Sequence, residues 1–222
     1  MNGMWILLFL VLTAALPAII VFFWFRAKKS AVTLPWFLGA LAAGIVSLIV
    51  AALIQRRFPA PLRGQNWLGP LFFGVFVRIA LVEELSRLVT LIPLLKIGEK
   101  RMNRDRDFCA ALGLAAGLGF AALENASYGI ADINITLLRV FTAAPLHGAC
   151  GIRAGAAVFN LPGHPAKALF IFFSGVLIHG AYNLMIISPA LPSVLAVLVA
   201  LAALLASLPY IKASAQGSET LS

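Results

Sequence analysis

Seven apolar runs, at residues 4–25, 34–54, 68–95, 108–130, 133–158, 166–187 and 191–211, divide this 222-residue chain, and short clusters of Lys and Arg separate most of them. Each run is close to the roughly 20 residues that an α-helix needs to cross about 30 Å of hydrocarbon. Only helices and closed barrels satisfy their own backbone in a bilayer, and runs of this length without strict alternation are helical. The pattern predicts an all-α polytopic membrane protein, a bundle of about seven transmembrane helices, with six and eight as the neighbouring counts. No basic stretch precedes the first run, and it is longer than the apolar core of a signal peptide, so it is expected to be a retained helix.

The third run breaks the pattern. Arg78, Glu83, Glu84 and Arg87 lie among seventeen Leu, Ile, Phe and Val residues between positions 68 and 95. Near a bilayer centre each Glu or Arg costs roughly 2.5 to 3.5 kcal/mol, whereas each of those apolar residues returns about 0.3 to 0.6 kcal/mol. Such a helix inserts marginally on its own, so its charges need partners. Arg87 lies three residues from Glu84 and four from Glu83, which lets it neutralise either within its own helix.

Composition changes the picture little. The chain is 62% hydrophobic and 11% charged, with a mean hydropathy of +0.99, which leaves no room for a sizeable soluble domain. Residues 1–222 are expected to form a single membrane domain, with a core at about 68–188 and additional spans at 4–25, 34–54 and 191–211. The net charge of +9 sits in short loops at helix ends and is not interleaved with exposed aromatics, so the lipid bilayer explains it and nucleic acid does not. Arg26, Lys28, Lys29, the five basic residues between Lys96 and Arg106, Lys167 and Lys212 fall in one alternate set of loops, and Arg56, Arg57 and Arg63 in the other. The positive-inside rule then places the N-terminus outside and the C-terminus in the cytoplasm. Cys109 and Cys150 lie within runs and lack CxxC spacing, so both are expected to be small packing residues. Gly113-xxx-Gly117 and Gly151-xxx-Gly155 predict close helix packing.

Polar residues recur at membrane depth on the next three runs. The fourth carries Phe120, Glu124, Asn125 and Tyr128, the fifth Arg139 and His147, and the sixth His179 and Asn183. A spacing of four keeps Phe120, Glu124 and Tyr128 on one face, and likewise His179 and Asn183. Counted at 1.5 Å per residue from the cytoplasmic helix ends, Glu83, His147 and His179 all lie about 17 to 20 Å deep, and Glu124 at about 24 Å. One shared site on spans 3 to 6 is expected. Glu124 and Arg139 also suit a purely structural ion pair. Arg153 is expected to snorkel to the headgroups, and His164 to be a loop residue.

Three carboxylates, two histidines and an amide are the parts of a hydrolase. A buried carboxylate deprotonates water, histidines orient that water or carry protons, and an amide such as Asn183 donates to an oxyanion. A zinc version would use His147, His179 and one glutamate. The absence of HExxH favours glutamate-activated water without a metal. Adjacent helix positions diverge by about 100°, so periodicity does not decide between Glu83 and Glu84. The working assignment makes Glu84 the base and has Arg87 hold Glu83. Two other classes fit some features: a proton-coupled transporter, against which stands the lack of internal repeats and interrupted helices, and a non-catalytic scaffold that captures transmembrane helices.

These residues resemble the motifs of the PrsW family of intramembrane proteases, within the superfamily of CAAX prenyl proteases and bacteriocin-processing enzymes. Glu83-Glu84-Leu85-Ser86-Arg87 resembles the EExxK-type motif, with Arg87 where the family more often has lysine. Gly119 to Asn125 resembles the FxxxE motif and its following asparagine. Pro145-Leu146-His147 and His179-Gly180-Ala181-Tyr182-Asn183 resemble the two histidine motifs. The resemblance runs from about Arg78 to Asn183, in the family's order. It implies an intramembrane endopeptidase acting on a single-span protein such as an anti-sigma factor, in a bacterial inner membrane. Its implied catalytic set is Glu83, Glu84, Glu124, His147 and His179, with Asn183 as an oxyanion or water ligand. Arg87, Phe120, Asn125 and Arg139 are the supporting residues. The family has been described both as metallopeptidase-like and as glutamate-dependent, so the resemblance leaves zinc open.

Overall fold

A computed structural model describes residues 3–28, 30–58, 68–101, 105–130, 132–188, 192 and 194–211. Among the described residues, seven helices stand where the apolar runs predict them. They are α1 (Gly3–Ala27), α2 (Leu34–Arg57), α3 (residues 68–101), α4 (Arg106–Gly129), α5 (Ile133–Asn160), α6 (Pro165–Ile187) and α7 (Val194–Ser207), the last extended by the 3-10 turn Leu208–Tyr210. There is no strand among the described residues. Leu191, where the seventh run begins, the loop cations Lys29, Arg63, Arg104 and Lys212, and the polar tail 213–222 lie outside the described residues.

Five of these helices are long and apolar enough to cross a membrane by length and composition: α1, α2, α4, α5 and α6. The two exceptions have plain causes. α7 is apolar but short, and α3 carries the four charges. Large side chains such as Phe23, Phe141, Phe170 and Leu205 are two-thirds or more exposed on the outside of the bundle. That suits a hydrocarbon environment, because water would penalise so much contiguous apolar surface.

At the centre, α4 packs against α5 on one side and α2 on the other. Glycines make this possible. A Cβ on Gly113 would stand 2.1 Å from the Gly151 carbonyl oxygen, one on Gly155 2.0 Å from that of Cys109, and one on Gly44 1.9 Å from that of Ala116. Small-residue contacts of this kind let helices approach backbone to backbone in lipid, where packing rather than hydrophobic burial drives association. α6 and α7 flank α5, and α1 covers α4.

α3 is the irregular element. It begins as an α-helix over Leu68–Phe72, widens into a nine-residue π-helix over Phe73–Leu81, and resumes as an α-helix over Val82–Arg101. Extended π segments are rare and concentrate at functional sites. This one ends two residues before Glu83. It also presses Phe76 onto α6, where a Cβ on Gly180 would stand 2.2 Å from the ring. Its Arg78 donates to the backbone carbonyls of Phe58 and of Gln55, the latter at 3.1 Å, fastening α3 to the end of α2.

Candidate active site

Four helices bring the predicted polar residues together in the interior. Glu83 and Glu84 come from α3, Glu124 from α4, His147 from α5 and His179 from α6. Glu84 accepts from the Arg87 guanidinium through Oε2 and faces His179 Nδ1 through Oε1 at 2.8 Å. Glu83 Oε1 accepts from Gln55 Nε2 at 3.1 Å. Its Oε2 is buried and makes no hydrogen bond among the described residues, with His179 Nε2 standing 3.4 Å away. His179 therefore presents one ring nitrogen to each glutamate.

The second half of the site is organised by Glu124. Its Oε2 accepts from Arg139 Nη2 and meets His147 Nε2 at 2.9 Å. Arg139 also donates through Nε to Asn125 Oδ1 at 2.9 Å and lies 4.2 Å over the Tyr128 ring. The Glu124–Arg139 pair is thus real, and it is also joined to the histidine. Pro145 within α5 has no backbone N–H to give to the preceding turn, which loosens the helix two residues before His147. On the facing helix a Cβ on Gly117 would stand 2.0 Å from the His147 carbonyl oxygen, so the bareness of Gly117 sets how close His147 comes.

Arg87 connects the halves. Fully buried, it bonds Glu84, reaches His147 Nδ1 through Nη2 at 3.2 Å and lies 4.7 Å over the Phe120 ring. A guanidinium only donates, so His147 Nδ1 accepts and the Nε2 proton points to Glu124. The two imidazoles meet edge to face with centroids 4.9 Å apart.

Several expectations need correction. Arg87 pairs with Glu84, not with Glu83 as in the working assignment, because the Glu83 carboxylate is turned to Gln55 of α2 and to His179. Arg153 does not reach outward. It donates to Ser174 Oγ at 2.7 Å and Ser207 Oγ at 3.1 Å, tying α5 to α6 and α7. Glu83 is level with the last turn of α2, through Gln55, a contact that counting along α3 alone does not locate. Asn183 is half-buried one turn beyond His179 and makes no side-chain hydrogen bond among the described residues. His164 lies in the exposed turn before α6, as expected.

Two site residues escaped the sequence reading. Gln55 carries no signal beyond being an amide at the end of an apolar run. Cys150 lies one turn after His147, and that spacing was the available clue. Among the described residues, the group able to hold a metal ion is Glu84, Cys150 and His179, all buried, with ligand atoms within 4.8 Å of one another. Carboxylate, thiolate and imidazole are donors that zinc takes. The donors present thus fit a zinc-class ion, with Cys150 in the group and not the His147 that a zinc version was expected to use. Two apolar clefts, of about 460 and 300 Å³, are lined by none of these donors.

A multi-helix membrane bundle whose interior holds three glutamates and two histidines in contact defines a class: polytopic membrane proteins with a buried hydrolase-type site. The profile of the PrsW family, described as an intramembrane metalloprotease, matches residues 32–208. The chain belongs to the PrsW family, and its activity class is that of an intramembrane peptidase. Its substrate is accordingly a membrane protein met in the lipid environment. No curated protein and no solved structure matches the chain.

Proposed function

We propose that this protein is an endopeptidase that hydrolyses a peptide bond within or beside the membrane-spanning segment of a single-span protein of the anti-sigma-factor type, in a bacterial inner membrane, with Glu83 as general base. The observation that carries this reading is the buried Glu83 Oε2, which no hydrogen bond among the described residues occupies, next to a Glu84 whose two oxygens are both engaged. Glu83 takes a proton from water, the hydroxide attacks the scissile carbonyl carbon, and the oxyanion is met by the Asn183 amide and His179. Glu83 then returns the proton to the departing amine, so that water is consumed and nothing else is needed. His147, held by Arg87 and Glu124, fixes the opposite wall. Where a zinc-class ion is bound, Glu84, Cys150 and His179 would hold it, and it would supply Lewis acidity toward water. Glu83 remains the base in either case.

The experiment is cleavage of a single-span anti-sigma-type substrate by the full chain in proteoliposomes, wild type against Glu83→Gln. Loss of the product band in a variant that still purifies as a folded protein supports the reading. Full activity in Glu83→Gln removes it.

A further inference from the structure

Cys150 is a buried thiol that the hydrolytic scheme does not use. It sits on α5 one turn from His147, and its Sγ faces the Gly175 carbonyl oxygen at 3.6 Å. Ordinary packing explains a small residue here. It does not explain why the thiol stands with a Glu84 carboxylate oxygen and a His179 ring nitrogen in a single group whose ligand atoms lie within 4.8 Å of one another. A tetrahedral ion with bonds of about 2.0 to 2.3 Å places its ligand atoms roughly 3.5 Å apart. Closing this group around an ion therefore takes shifts of about an ångström or less.

The surroundings of His179 supply the second observation. A histidine that binds a metal through one nitrogen donates its other N–H to a carboxylate or carbonyl, which fixes the ring. His179 presents Nδ1 to the group and Nε2 to the unoccupied Glu83 Oε2 at 3.4 Å, and Gln55 holds the other oxygen of Glu83. The orphaned oxygen stands where such a supporting acceptor belongs. Arg87 stays on Glu84 Oε2, and the ion takes the place of the hydrogen bond between Glu84 Oε1 and His179 Nδ1.

We infer that Glu84, Cys150 and His179 form a three-ligand site for a zinc-class divalent cation, with a thiolate ligand in place of the second histidine. Binding releases the thiol proton to solvent, and the proton between His179 and Glu84 passes to His179 Nε2, which then donates to Glu83. The fourth position is left for water or substrate. This site stands on geometry and does not require the chain to be a peptidase.

The test reads sulfur ligation. Full-length protein in nanodiscs, stripped with a chelator, is titrated with cobalt as a spectroscopic stand-in for zinc. The expected result is one cobalt per chain with a thiolate-to-cobalt charge-transfer band that Cys150→Ser abolishes and Cys109→Ser keeps. Cadmium NMR of the wild type reports a sulfur ligand without any variant, which covers the case in which Cys150→Ser does not fold. Cobalt bound without the band, a band that survives Cys150→Ser in folded protein, or no uptake at all overturns the site. Cleavage without cobalt uptake sinks the metal site alone, and sulfur-ligated cobalt without cleavage sinks only the peptidase reading.

Discussion

Arg87 bonds Glu84 and leaves the adjacent Glu83 to Gln55. Two neighbouring carboxylates thereby acquire different tasks from their partners alone. Glu84 is held by the Arg87 guanidinium and the His179 imidazole, whereas Glu83 keeps one oxygen without a hydrogen bond among the described residues.

Neutralising the two glutamates should therefore separate function from stability. Glu83→Gln retains the bond to Gln55 with an amide flip and is expected to fold normally while losing about 10²- to 10⁴-fold in cleavage rate, the usual weight of a general base. Glu84→Gln leaves a buried guanidinium without its counter-ion, a loss on the order of 3 to 5 kcal/mol. Thermal unfolding in detergent together with cleavage of a single-span substrate distinguishes them. Equal melting temperatures for the two variants would count against this division.

Arg87 itself offers a graded test. Lysine keeps a charge for Glu84 but has no planar fork with which to reach His147 Nδ1 as well, and it stacks less well on Phe120. Arg87→Lys should retain fold and lose part of the activity, and Arg87→Met should unfold at markedly lower temperature. An Arg87→Lys variant as unstable as Arg87→Met would mean that charge alone does not hold the fold and that the geometry of the guanidinium does.

The helices were legible because hydrophobic runs are long and turn-bounded, and the site because charge in a lipid-facing run has few bland explanations. What stayed hidden was pairing. Gln55 and Glu83 are 28 residues apart on different helices, and no local signal couples an amide at one helix end to a carboxylate in mid-span. The π-helix over Phe73–Leu81 was also invisible, since its sequence satisfies an α-helix equally well. That widening shifts the rotation of everything after it, which is why periodicity along α3 did not reveal which glutamate faces which partner. Cys150 was read as packing because thiol sites are recognised by CxxC spacing, whereas the groups beside it, Glu84 and His179, come from two other helices.

Close approach of α4 and α5 gives a prediction without touching a polar group. In Gly117→Ala the new methyl would meet the His147 carbonyl oxygen at 2.0 Å, so the helices must part and carry His147 away from Glu124. Overpacking of this kind typically costs about 1 to 3 kcal/mol, and activity should fall further than stability. Gly163→Ala, in an exposed turn with nothing within 4 Å, is the control and should stay within about 0.5 kcal/mol of wild type. Indistinguishable cleavage by the two variants would show that the α4–α5 spacing does not govern the site.

Gln55 tests whether α2 belongs to the catalytic unit or merely shields it. Its side chain donates to Glu83 Oε1, and its backbone carbonyl accepts from Arg78 at 3.1 Å, so one residue steadies both the Glu83 carboxylate and the π segment leading to it. Gln55→Leu removes the first contact and keeps the second. A hydrogen bond to a charged group is worth roughly 1.5 to 3 kcal/mol, and if that energy is used to orient the carboxylate, kcat should drop about tenfold or more while KM changes little. Gln55→Glu should do worse, because it sets a third carboxylate against Glu83. A shielding role predicts the opposite split, with kcat preserved and KM altered as substrate entry changes. Steady-state kinetics on the three proteins, with Gln55→Asn as the shorter amide, decides between them.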